Sequence, residues 1–148
     1  MEVKGNIEGA IKKIEALNAK FKGTNTVKVG LPKGSNAYPD GTSVIMVGSV
    51  HEFGSPSKGI PERSYLRSSV LEGKSKYKSM FTKLAKKITG GKMTMPEALS
   101  ILGQQMQNDV RDKITDLKSP ALKGREGNPL VDTGHLRQSI VYEVSDAD

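Results

Sequence analysis

Two neighbouring side chains in this sequence are of the types that metal-assisted or general acid–base chemistry uses: His51 and Glu52. A metalloprotease helix needs a second histidine four residues after the first. Position 55 is serine, and Gly54 turns the chain just before it. The other histidine, His135, stands in Asp132-Thr133-Gly134-His135, and there is no cysteine. Two histidines without a thiolate make a poor zinc set, so neither a metal nor a cofactor is expected. Asp132, His135 and Ser139 fall at helical spacing, which points to capping and packing before a catalytic triad. No serine occupies a Gly-x-Ser-x-Gly elbow. Asp-Thr-Gly also occurs in aspartic proteases, but here it lacks the flanking apolar strands and the second carboxylate that a dyad requires. Gly34, Gly41, Gly90 and Gly91 match neither a phosphate-cradling loop nor a dinucleotide fingerprint. An enzyme is not expected.

A different chemistry is offered between Gly73 and Lys92, where seven lysines occur with no Asp or Glu. The net charge of +7 resides entirely there, because the remainder of the chain balances at 16 basic and 16 acidic residues. Lys74, Lys76, Lys78, Lys83, Lys86 and Lys87 could contact DNA or an acidic partner, or form a solvated helix face. Aromatic residues are only 5% of the chain, so stacking platforms for nucleic acid are scarce. Such a face would make salt-sensitive contacts blind to sequence.

These residues need elements to position them. The 148 residues suit one domain spanning 1–148, and a hydrophobic fraction of 35% implies a modest core or surfaces covered on assembly. No apolar run is long enough to cross a bilayer, the N-terminus lacks the apolar stretch of a signal peptide, and the lack of cysteine fits a reducing compartment. Asn6 can cap a helix whose stripe is Ile7, Ala10, Ile11, Ile14, Leu17 and Phe21. Thr26–Leu31 alternates as a strand, and residues 31–43 read as a long loop or β-excursion. Ser43–Val50 suits a strand by its β-branched content and a short helix by its apolar spacing. Leu66 and Val70 share a helical face with Tyr77, Met80, Phe81, Leu84 and Ile88, with a break expected at Gly73. Thr94 or Met95, followed by Pro96 and Glu97, starts a helix with the stripe Leu99, Leu102, Met106, Val110, Ile114 and Leu117. A short helical piece around Leu136, capped by Asp132 or Thr133, precedes a final strand at Ile140–Val144. The expected fold class is α+β: about three helices on a small, mainly antiparallel sheet, with long loops.

Two segments carry a resemblance to a known family. His51-Glu-Phe-Gly54, then Ile60-Pro-Glu-Arg63 and Tyr65-Leu-Arg67, resembles the HEFG…IPARPFLR signature of tailed-bacteriophage tail-completion proteins, which are also described as virion morphogenesis or minor tail protein Z-like proteins. Pro129-Leu-Val-Asp-Thr-Gly-His-Leu-Arg-Gln-Ser-Ile140 resembles the same family's PLVDTGRLRxSI element. The two occur in the family's order and at similar separation. Tyr65 replaces a usual phenylalanine, Ser64 a common proline, and His135 a frequent arginine.

The resemblance implies a structural virion protein without catalytic residues, assembled in the bacterial host cytoplasm and located at the head–tail junction. There it would form a homo-oligomeric neck ring, hexameric or of another order. That ring completes the tail or joins it to the capsid connector. The implied partners are further copies, the connector or head-closure protein and the tail terminator or tube protein, with non-specific contact to DNA in the channel. Phe53, Ile60, Arg63, Tyr65, Leu66 and Arg67 are the expected subunit or partner interface. Core packing is the simpler expectation for Phe53, Tyr65 and Leu66. In the first motif Gly54 reverses the chain after a buried Phe53, and Pro61 and Glu62 begin the next helix. The loops Lys33–Thr42 and Ser119–Asn128 are expected to contribute ring contacts. The alternative is a small basic DNA-binding protein using the Lys74–Lys92 face.

Overall fold

The computed structural model describes residues 7–23, 25–121, 127, 129–130 and 134–145. The elements are helix α1 (Ile7–Phe21), strand β1 (Thr26–Gly30), helix α2 (Val44–Phe53), a 3-10 turn at Pro56–Lys58, helices α3 (Leu66–Thr89), α4 (Met95–Asp116) and α5 (His135–Ser139), and strand β2 (Val141–Ser145). The fold is α+β, with more helix and less sheet than the sequence pattern implied.

Helices α3 and α4 form an antiparallel hairpin. The pairing runs from Glu72 with Lys113, through Tyr77 with Asp109, to Leu84 and Ile88 packed on Ala98 near the turn. Thr94 starts α4 with a capping box: its Oγ1 accepts from Glu97 N at 3.4 Å, and Glu97 Oε2 accepts from Thr94 N at 2.8 Å. Such a cap is worth about 1 kcal/mol. Strands β1 and β2 pair antiparallel, with Thr26 opposite Ser145 and Gly30 opposite Val141, and the two-stranded sheet packs on α4. One apolar cluster joins Tyr65, Val110, Ile114, Leu130, Leu136 and Ile140; a smaller one gathers Leu84, Ile88 and Ala98 with Met93 and Met95.

Of the four glycines inside helices, Gly48, Gly73 and Gly103 each receive a tyrosine. Tyr65 and Leu31 crowd Gly48 in α2, Tyr77 folds back across Gly73 in α3, and Tyr142 of β2 lies on Gly103 in α4. The break expected at Gly73 is therefore absent. The residue that costs helix propensity opens the space for Tyr77, whose hydroxyl then donates to Asp109 at 2.7 Å. The ambiguous Ser43–Val50 segment is helical, with Ser43 Oγ accepting from Met46 N. Residues 31–43 contain no strand; they carry a turn in which Tyr38 N donates to Thr42 O at 2.9 Å. Asn6, Asp132 and Thr133, expected as helix caps, lie outside the described residues, as does most of the loop expected at 119–128.

Candidate functional site

The HEFG motif closes α2, and the IPER and YLR residues that follow lead into α3. Between them Gly54, at φ 74°, reverses the chain, and a Cβ there would stand 2.8 Å from the backbone nitrogen of Glu62. Ser55 and Ile60 exchange two backbone hydrogen bonds around the 3-10 turn, at 2.8 and 3.0 Å. Arg63 N then donates to His51 O at 2.8 Å, bringing the returning chain against the end of α2.

Glu52 holds this elbow. It is 3% exposed, and its carboxylate accepts from the backbone nitrogens of Tyr65, Leu66 and Arg67 at 2.9, 2.8 and 3.0 Å. Ser64 Oγ and Arg67 Nε also donate to it, at 2.9 and 2.8 Å. These backbone donors are the first N–H groups of α3, which no helical turn can satisfy. A carboxylate from α2 does so instead, where the helix dipole favours negative charge. Burial pushes the Glu52 carboxyl up, but the Leu66 and Arg67 N–H groups, the Arg67 guanidinium and the Ser64 hydroxyl outweigh it and hold it below its ordinary value. Burial, with the Arg63 charge added, lowers His51, and its Nδ1 is buried with no hydrogen-bond partner among the described residues.

The expected interface residues divide sharply. Arg63 is 4% exposed, and its guanidinium donates to Pro120 O at 2.7 Å and Ala121 O at 3.1 Å, tying the elbow to the chain beyond α4. Its donors are thus directed inward. Tyr65 is buried in the main core, Leu66 packs against it half-buried, and Ile60 is half-buried in the turn. Phe53, expected to be buried, is 61% exposed. It stands on the outer face of α2 with the Arg67 guanidinium 4.6 Å from its ring centroid. Arg67 is half-exposed and bridges Glu52 and Glu62, with Nη2 2.7 Å from Glu62 Oε1. Pro61 and Glu62 precede α3 instead of beginning it, because the Glu52 cap fixes the helix start at Leu66.

Lys74, Lys76, Lys78, Lys83, Lys86 and Lys87 are all exposed along α3, and Lys76 pairs with Asp109. At 100° per residue they fan over an arc of roughly 220°, so they do not form one basic face. His135 Nε2 lies 2.8 Å from Asn36 O and its ring meets Tyr38, while Ser139 Oγ donates to His135 O. The Ser139 hydroxyl thus meets the His135 backbone, and Asp132 lies outside the described residues. Among the described residues no three His, Asp or Glu side chains could hold a metal ion, and no helix is long and apolar enough to cross a membrane.

Sequence reasoning missed the role of Glu52. The one available signal was the start of α3, whose N-cap position is held by Tyr65, a residue that offers no side-chain cap. No protein-family model, characterised protein or solved structure matches this chain.

Proposed function

We propose that this chain is a structural assembly subunit: a ring-forming virion component at a tailed-phage head–tail junction, with no catalytic role. The observation that carries the reading is the stripe of α1, in which Ile7, Ile11, Ile14, Leu17 and Phe21 remain between 38% and 70% exposed. An isolated protein rarely leaves so continuous an apolar face uncovered. The motif chemistry supports the same reading, since Glu52 and Arg63 are committed to the chain's own geometry and leave no reactive cluster. The resemblance of both motifs to tail-completion proteins supplies the location. Independent action as a DNA-binding protein is the weaker reading, because the lysines fan around α3 and mostly lack aromatic neighbours. Labelling intact virions with an antibody to this chain tests the location by electron microscopy. The label is expected at the head–tail junction; labelling confined to the capsid or the tail shaft, or no label, overturns the proposal.

A further inference from the structure

A closed ring of more than two copies requires a heterologous interface, in which one surface of each copy meets a different surface of the next. Among the described residues two exposed apolar surfaces lie near opposite ends of α3, apart from the exposed Ile45, Met46, Ile101 and Val141. The first is the α1 stripe. At its C-terminal end Lys20 Nζ reaches Ile88 O and Thr89 O, at 3.3 and 3.5 Å, which places that end beside the last turn of α3. The second lies at the other end of α3, where Leu71 is 70% exposed and Phe53 packs against Arg67. Seventeen residues of helix, about 25 Å, separate Leu71 from Ile88.

Their charges are complementary. On α1, Glu8 and Glu15 lie seven residues apart on one flank of the stripe, while Lys13 and Lys20 share the other; Glu8 also meets Lys12 at 3.0 Å in a solvent-exposed pair that exchanges readily. On α3, Arg67, Leu71, Lys74 and Lys78 fall within an arc of roughly 60°, with the exposed leucine at one edge and the basic groups beside it. Arg67 is already engaged with Glu52 and Glu62, which leaves Lys74 and Lys78 as the exposed basic rim. The α1 stripe exposes on the order of 300 Å² of apolar side chain, taking about 100 Å² for a whole isoleucine or leucine. That is a substantial part of the roughly 800 Å² each partner contributes to a standard interface. A membrane surface suits α1 poorly: its polar positions mix Glu8 and Glu15 with Lys12, Lys13 and Lys20, unlike the strongly basic face of an interfacial helix.

We propose that α1 of one copy docks on the Phe53–Leu71 surface of the next, with Glu8 and Glu15 against Lys74 and Lys78. This inference rests on the ring reading and names the surfaces that build the ring. The test compares purified full-length wild type, E8K/E15K, K74E/K78E and their equimolar mixture by light scattering across a concentration series. All four exchanged positions are exposed, and circular dichroism confirms that each variant is folded. Each swap alone is expected to raise the concentration of half-assembly at least tenfold. The mixture is expected to restore assembly, because each swapped flank then meets an oppositely charged rim. If K74E/K78E assembles like wild type, the α1–α3 contact is overturned and the ring reading stands. A wild type that remains monomeric throughout also overturns the contact, while antibody labelling of virions separately decides the location.

Discussion

Glu52 shows how a residue that resembles a catalyst can serve as a joint. Its carboxylate is buried, yet it stays ionised because three backbone N–H groups, a hydroxyl and a guanidinium replace its water. Removing this carboxylate leaves three backbone N–H groups at the start of α3 without their acceptor, so Glu52→Ala is expected to destabilise the fold by about 3 kcal/mol in denaturant unfolding. The pH dependence has a definite sign. Glu52 titrates lower in the folded chain than at its ordinary 4.5, so its contribution is full above that value and is lost as pH falls through the folded value. His51 is likewise lowered from 6.5, so acidification below that pH charges the unfolded chain first and withdraws stability in the same direction. Stability should therefore fall in two stages on acidification; Asp40, Glu97 and Asp109 are also held below their ordinary values, so Glu52→Gln should shrink the lower stage without abolishing it. A stability profile flat from pH 6.5 to pH 4.5 would contradict the His51 assignment, and one identical for wild type and Glu52→Gln below pH 4.5 would contradict the Glu52 assignment.

At the scale of elements, the three tyrosine–glycine seats explain how helices and strands approach closely in a chain with a modest core. Gly103 is the one that seats the sheet, because a Cβ there would meet both the Tyr142 ring of β2 and, at 2.8 Å, the Val27 side chain of β1. Gly103→Ala is expected to push the sheet away from α4 at a cost of about 2 kcal/mol, despite alanine's better helix propensity. Thermal unfolding measures this, and a stabilised variant would mean that the sheet does not bear on α4 as described. Much of this level was legible in the sequence. The α1 and α4 stripes, the Thr94 start, the turn at Gly54 and the two terminal strand segments all follow from spacing and turn chemistry. Gly73 and Phe53 were misread because sequence periodicity records only which helix positions are apolar. It does not show that a tyrosine will fold back over a glycine. Nor does it show that an aromatic at the end of α2 will face outward beneath an arginine. Glu52 was illegible as a cap for a related reason: its donors begin twelve residues away, on the far side of a turn.

For the whole molecule, the inward and outward surfaces have different characters. Inward lie Glu52, Arg63 and Tyr65, which fix the angle between α2 and α3 and tie it to the chain after α4. Outward lie the α1 stripe, Phe53 and Leu71, apolar groups that the described residues leave uncovered. A rigid elbow beside exposed apolar faces suits a subunit whose stability is completed by its neighbours, since association shifts the folding equilibrium by mass action. The most direct test of the proposed role is to delete the chain's coding sequence from the genome that encodes it, which the proposal expects to be a phage's, and to image the lysate by electron microscopy. A joining ring predicts filled heads without tails and free tails accumulating together, with infectivity lost. Intact, infectious, tailed virions from the deletion would contradict the account.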